Sequence, residues 1–257
     1  MNVLVTGGTG TLGRHVVTLL RQSGHRARIL SRAPRGHVDA IQGDLETGAG
    51  LQRAVAGMDA IAHAASATRQ PLRGRKVDVE GTRRLLTLAR EANVKHVVFI
   101  SIVGIDRVGY PYYRTKLAAE AVVREDLVPW TILRATQFHS FMELVLGAFS
   151  RLPGVTAVPL DWKFQPVAEQ EAGRRMFELV LEGPRGMVPD FGGPEVREMR
   201  SLARAWLDAR RSKRRLVNLP LPLRASRQVA QGELCSPDHK DGVATFDHYL
   251  DEKYATR

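Results

Sequence analysis

Residues Met1–Gly13, MNVLVTGGTGTLG, decide how the rest of the chain is read. Asn2 to Thr6 is a short apolar run, long enough for one buried strand. Gly8, Gly10 and Gly13 fit G-x-G-x-x-G, and Gly7, Gly10 and Gly13 fit the looser G-x-x-G-x-x-G. Arg14–Arg21, RHVVTLLR, then opens a helix. Strand, glycine turn and helix in this order form the context of a dinucleotide fingerprint. A pyrophosphate reaches backbone N–H groups only where no Cβ stands in the way, and it then sits at the positive end of a helix. The run Gly7, Thr9, Gly10, Thr11, Leu12 and Gly13 is therefore the expected phosphate cradle. The competing reading is an ordinary tight strand-to-helix turn.

The chain has 257 residues, 44% hydrophobic and 25% charged, enough for a sizeable core. A single cysteine, Cys235, excludes an internal disulfide and a cysteine-based metal cluster and suits a reducing compartment. No metal ligand set is expected. No segment reaches about 18 uninterrupted apolar residues, so neither a membrane span nor a membrane partner is expected. The chain enters a strand at once, without a basic leader, and a cytoplasmic protein is the expectation. The net charge of +11 admits nucleic acid as a partner, but also an anionic cofactor. The excess is spread along the chain, with its densest run at Arg210–Arg215, RRSKRR, read as a solvated surface. There is no zinc-finger spacing, no aromatic RNA-binding signature and no clear helix-turn-helix, so nucleic acid is disfavoured.

Beyond the first helix, Arg26–Ser31 reads as the second strand. An acidic residue at its end would bind a ribose 2′-hydroxyl. Ser31 and Arg32 stand there instead, with Arg35 soon after, and a hydroxyl with a guanidinium suits a 2′-phosphate. This predicts NADP rather than NAD. Asp39–Leu45 supplies a short third strand ending in Asp44-Leu45, where the carboxylate meets an adenine amino group and the leucine covers the ring, or where Asp44 caps a helix running to Val55. Gly57–Ser66 is a fourth strand entering the small-residue turn Ala64, Ala65, Ser66. His63, alone in an apolar strand, reads as a packed core residue. Residues 67–76 form a polar basic loop, a position for a lid. Val77–Ala92 is an amphipathic helix, Val94–Ile100 a central strand followed by Ser101, Tyr112–Arg124 a helix, and Trp130–Leu133 a sixth strand running into Ala135, Thr136 and Phe138. The alternation predicts an α/β doubly wound parallel (Rossmann) sheet over residues 1–138, with strand ends converging on one edge. Residues 139–257 lose the rhythm and read as a smaller substrate lobe, packed partly back on the first domain and lending an element to its sheet.

Tyr112 and Lys116 are spaced Y-x-x-x-K, which puts both on one helix face. An ammonium beside a phenol stabilises the phenolate and lowers the tyrosine pKa from its usual value near 10. Tyr112 is thus a candidate acid/base for a carbonyl or hydroxyl, with Ser101 able to bond the same oxygen and Lys116 able to hold a ribose. Tyr113 competes, but its i+4 neighbour is Leu117. The spacing also arises by chance.

TGGTGTLG, GDL, HAA, VDVEGT, the strand ending in Ser101, YYRTK and LRATQF, in this order, resemble an extended or atypical short-chain dehydrogenase/reductase of the NmrA-like NAD(P)-binding subgroup. The resemblance covers about residues 1–140 and extends more loosely through QPVAEQEAG and PDFGGPEV. It implies NADP held by Gly7–Gly13, Arg32, Asp44, Leu45, Ala64–Ser66, Lys116 and Ala135–Phe138. It implies Ser101, Tyr112 and Lys116 as the catalytic trio. Two departures stand out. Asp78 occupies the fourth catalytic position, where the family usually has Asn, and could pair with Lys116. Ser101 precedes Tyr112 by only 11 positions. The expected activity is NADPH-dependent reduction of a small carbonyl or quinone, with Phe138, His139, Phe141 and Met142 as lining or core. The alternatives are a non-catalytic NADP(H) sensor and a nucleotide-sugar epimerase or dehydratase. A monomer and a homodimer are both compatible with the sequence.

Overall fold

The computed structural model describes residues 1–34, 36, 38–67 and 73–255. In chain order the first elements are β1 (Asn2–Thr6), α1 (Gly13–Gln22), β2 (Arg26–Ser31), β3 (Ala40–Gln42), α2 (Leu51–Val55) and β4 (Ala60–His63). A π-helical turn, Arg75–Glu80, leads into α3 (Gly81–Glu91), followed by β5 (His96–Ile102), α4 (Pro111–Glu125) and β6 (Trp130–Ala135). Then come α5 (His139–Ala148), β7 (Val155–Val158), β8 (Lys163–Phe164), α6 (Glu169–Glu182) and β9 (Gly186–Met187). The chain finishes with β10 (Arg197–Glu198), α7 (Met199–Ala209), β11 (Arg215–Asn218), α8 (Arg224–Ala230) and α9 (Phe246–Tyr254). Two compact units are built from these, both discontinuous in sequence: residues 1–101, 111–134 and 172–189, and residues 102–110, 135–171 and 190 onward.

The first unit carries a seven-stranded parallel sheet in the order β3-β2-β1-β4-β5-β6-β9. Val3 pairs with Ala27 on one side and Ala60 on the other, and Thr6 with Leu30 and His63. The middle strands are buried along most of their length, as in parallel sheets with helices on both faces. In α1 the buried residues Gly13, Val16, Val17 and Leu20 recur at i, i+3, i+4 and i+7, the stripe that must face the sheet. One core cluster joins Leu4, Ile61, Leu85, Phe99, Val123 and Ile132 across the layers. Each such side chain contributes about 1.5–3 kcal/mol on full burial. The last strand, β9, comes from beyond residue 139, and Gly173 of α6 lies so close to α1 that a Cβ there would stand 2.9 Å from His15 Cβ.

Among the described residues the second unit has only two-stranded sheets. β7 and β11 pair in parallel, and β8 and β10 antiparallel. Helices α5, α7 and α9 and a buried amide network fill it. Gln165, fully buried, donates to the carbonyls of Gly193 and His239 at 2.8 Å each and accepts from the Ser236 N–H.

Candidate functional site

The glycine turn has two kinds of glycine. Gly7 adopts φ +66°, and a Cβ there would stand 2.8 Å from the Ala65 nitrogen. A Cβ on Gly13 would lie 2.2 Å from the Gly7 carbonyl oxygen. Internal packing therefore demands these two. Gly10 is exposed, and its Cβ would meet only the Gly7 oxygen at 3.0 Å, so its outer side is left smooth. The start of α1 has no side-chain cap among the described residues, and no acidic residue in its first turn. The N–H groups of Thr11 and Leu12 have no acceptor among the described residues. Unsatisfied N–H groups at the positive end of a helix, beside a backbone stripped of Cβ atoms, form an anion site of the kind a pyrophosphate fits. Thr9 is exposed at this turn, Thr11 half-buried, and the Leu12 side chain buried.

Around that turn the adjoining strand ends present the rest. At the end of β2, Ser31 Oγ accepts the Ala33 N–H at 3.2 Å, and Arg32 is exposed. Arg35 and residues 68–72 of the basic loop lie outside the described residues. Asp44 Oδ1 accepts the Glu46 N–H at 2.8 Å, which folds a tight turn. It does not cap a helix, because α2 begins only at Leu51, with Gly50 as its N-cap. Leu45 is buried in the core cluster, against Gly81, whose Cβ would stand 2.9 Å from Leu45 Cβ.

The chemistry-bearing side chains of the first unit gather beyond β4 and β5. The Tyr112 hydroxyl and Ser66 Oγ are 2.8 Å apart, and Tyr112 is buried. Lys116 is fully buried, donates to the Ile100 carbonyl at 3.0 Å and lies 4.1 Å from the centre of the Phe99 ring. Burial pushes its ammonium below the usual lysine value, and Asp78 and Glu120 pull it partly back. Ser101 lies within β5 rather than after it, and its buried hydroxyl has no hydrogen-bond partner among the described residues. Such an orphan calls for a ligand or a water to satisfy it.

The helix expected over 77–92 is split. The wider π turn places buried Asp78 where its Oδ2 accepts the Ala67 N–H at 3.1 Å, next to Ser66, while Oδ1 has no partner among the described residues. Such turns are frequent at functional sites in helices. His63 is a core residue, bonded to Thr6 Oγ1 at 2.6 Å and Thr82 Oγ1 at 2.9 Å. Burial, and next the charge of Lys116, push it down to about 3, so it stays neutral.

In the second unit, Ala135 bridges to Phe191, Thr136 Oγ1 accepts the Gly193 N–H at 3.2 Å, and Phe138 caps α5. His139 and Met142 are buried, His139 against Phe246 and Tyr249. The sequence reading passed over two features. The contact of Ser66 with Tyr112 joins residues 46 positions apart, with no local pattern to signal it. Glu143 gathers Trp206, Tyr249, Lys253 and Tyr254 around one carboxylate.

A family model described as NAD(P)H-binding matches residues 7–141. Photosystem II assembly factor Ycf39 of Trieres chinensis is 30% identical over 54% of this chain, and the chain spans just under half of that protein, 46%. A (4-alkanoyl-5-oxo-2,5-dihydrofuran-3-yl)methyl phosphate reductase of Streptomyces griseus is 32% identical, over 76% of this chain and 68% of the reductase. Among solved structures, a short-chain dehydrogenase/reductase superfamily protein from Agrobacterium tumefaciens with bound NAD aligns with a TM-score of 0.74. It covers 100% of this chain and 97% of that one, at 22% identity, which speaks to the fold alone. With the glycine turn and the parallel sheet, the match over more than half of the chain is decisive: the chain belongs to the NAD(P)H-binding family.

Proposed function

We propose that the chain is an NADPH-dependent reductase of a small carbonyl or quinone substrate. The observation that carries this reading is the cluster of Tyr112, Lys116 and Ser101: a phenol held by Ser66, a desolvated ammonium one helical turn along, and a buried hydroxyl with no partner among the described residues. The reductase relative from Streptomyces griseus supports the same class of chemistry. The backbone of Gly7–Gly13 would take the pyrophosphate, Ser31 and exposed Arg32 the 2′-phosphate, and Lys116 the nicotinamide ribose. When bound, NADPH supplies a hydride to the carbonyl carbon. Tyr112 donates its proton to the carbonyl oxygen, and the Lys116 charge stabilises the phenolate that remains. Ser101 donates a hydrogen bond to that oxygen, and Ser66 fixes the phenol until substrate arrives. A quinone can accept hydride with less help from an acid.

The test is NADPH oxidation across a panel of aldehydes, ketones and quinones. Tyr112→Phe is expected to lose about 10²–10⁴-fold in kcat/KM on carbonyls. Arg32→Gln is expected to raise KM for NADPH about tenfold while leaving NADH nearly unchanged. Full carbonyl turnover by Tyr112→Phe would remove Tyr112 as the acid. The second reading, a sensor of the NADP/NADPH ratio, draws on Asp78, whose charge offsets the desolvation of Lys116. Calorimetry that separates the two redox forms of the cofactor, with no turnover on any substrate, would favour it.

A further inference from the structure

The densest cationic run of the chain, Arg210–Arg215, is not used by the proposed reaction. In the second unit it leads into β11 and the segment Leu216–Leu223, LVNLPLPL. From Ala209 to Gly232 there are seven Lys and Arg and no Asp or Glu. Arg210 is engaged, stacked 4.6 Å over the Trp206 ring and bonded to the Tyr254 hydroxyl. Arg211, Lys213, Arg215, Arg224 and Arg227 are exposed, and none has an ion-pair partner among the described residues.

The same surface exposes apolar side chains. Arg215 pairs with Val155 and Val217 with Ala157, and paired residues of a ladder share a face. The opposite face, with Thr156 and Val158, is buried. The outward face therefore carries Val155, Ala157, Val217 and, two residues on, Leu219. Leu152 and Leu223 are more exposed still, at 64% and 60%. The Arg214 guanidinium clamps the Leu152 loop to this sheet by donating to the carbonyls of Leu152, at 2.6 Å, and Val155, at 3.1 Å. Leu152 thus stands by the start of β11 and Leu219–Leu223 beyond its end, along about 13 Å of strand.

We propose that this face docks on an anionic lipid surface, with Leu152, Val217, Leu219 and Leu223 entering the headgroup boundary and Lys213, Arg215 and Arg224 meeting lipid phosphates. Apolar side chains rimmed by unpaired cations are the chemistry of interfacial binding. A second copy of the chain would set like charges against each other. Nucleic acid would find no stacking platform among the leucines, since no Phe, Tyr or Trp lies in residues 207–245. An added strand would be cut short by Pro220 and Pro222. The expectation of no membrane partner rested on the absence of a span. No helix among the described residues is long and apolar enough to cross a membrane, and surface docking needs none.

Vesicle co-sedimentation of the full chain tests this. The protein is expected to sediment with phosphatidylcholine vesicles containing phosphatidylglycerol, to stay in the supernatant with pure phosphatidylcholine, and to be released by salt. Leu152→Ser with Leu223→Ser should lower partitioning by tenfold or more, and Lys213→Gln with Arg215→Gln by about fivefold per charge. Arg90→Gln with Arg124→Gln, exposed cations of the first unit, should leave it unchanged. Far-UV circular dichroism checks the fold of each variant, and the salt and lipid arms on the unsubstituted protein stand independently. No sedimentation with anionic vesicles overturns the proposal. So does an equal loss in the Arg90/Arg124 variant, which would reduce the effect to net charge. Retention of full binding by the folded leucine variant also overturns it, and tighter binding to duplex DNA than to vesicles would make nucleic acid the occupant.

Discussion

Two Y-x-x-x-K pairs occur in this chain, Tyr112/Lys116 on α4 and Tyr249/Lys253 on α9, with the same spacing and opposite circumstances. In the second pair the Lys253 ammonium donates to the Tyr249 hydroxyl at 3.0 Å and also to the Glu143 carboxylate. Tyr249 donates to the same carboxylate at 2.5 Å. Burial, and then Glu143, push the Tyr249 phenol up to about 12. Burial acts to lower Lys253, but Glu143 more than reverses it. That phenol keeps its proton, and the pair serves as a fastening between helices. In the first pair the phenol meets a serine, and the lysine is stripped of water, with its charge only partly offset. Spacing sets which residues share a helix face; distant residues set what each pair is bonded to, a carboxylate on both members of the second pair, and a serine and a backbone carbonyl on the first.

The sharpest way to break this contrast is to neutralise each lysine in turn. Lys116→Met is expected to lower kcat/KM for a carbonyl substrate by about 10²-fold or more, while Lys253→Met stays within about twofold. Steady-state NADPH oxidation measures both. Comparable losses in two folded variants would show that the environments do not differ in function.

Stability should reverse the order. Glu143→Ala leaves the Trp206 N–H and two phenols without their acceptor and is expected to cost about 2–4 kcal/mol, read from the urea midpoint. Lys253→Met removes a half-exposed partner and should cost about 1 kcal/mol or less. The pH dependence follows from the direction of the Glu143 shift. Burial acts to raise the carboxyl, but bonds from Lys253, Tyr249 and Tyr254 hold it below its usual 4.5. Its contribution is therefore complete above the unfolded-state value and is lost as pH falls from there through the lower folded-state value. Glu143→Ala should be less sensitive to acid over that window than the unsubstituted chain.

The two pairs also mark what was legible in the sequence. The first unit follows local rules. β2 spans Arg26–Ser31 as its apolar pattern predicts, and the glycine turn sits between β1 and α1. The pattern over 77–92 is helical in both readings, but nothing local signals the π turn, which accompanies the packing of Gly81 on Leu45 and the bond from the Ala67 N–H to Asp78. The second unit depends on distant partners. β8 and β10 are two residues each and exist only as a pair, and RASRQVA, which forms α8, carries too short a stripe to be read as a helix. Glu143 and Tyr249 are 106 positions apart, so their chemistry could be seen only once α5 and α9 were together.

The smallest expected effect is also the most specific. Burial pushes the Lys116 ammonium down, and Asp78 and then Glu120 oppose it. Glu120 already holds Arg134 through two bonds at 2.9 and 2.8 Å, so much of its charge is committed. Asp78 has one oxygen without a partner among the described residues, and its charge is the main support of the lysine. Asp78→Asn removes that charge and keeps a carbonyl oxygen for the Ala67 N–H, so Ser66 should stay at the Tyr112 hydroxyl. With less anionic support the Lys116 pKa falls further, and the limb of the kcat/KM profile that follows its deprotonation should move to lower pH, by about one unit or less. Asp78→Ala removes the anchor as well and should lower kcat at every pH, through Ser66. A profile that Asp78→Asn leaves in place, with activity retained, would mean that Asp78 acts on the loop alone and that the poise of Lys116 is set by burial.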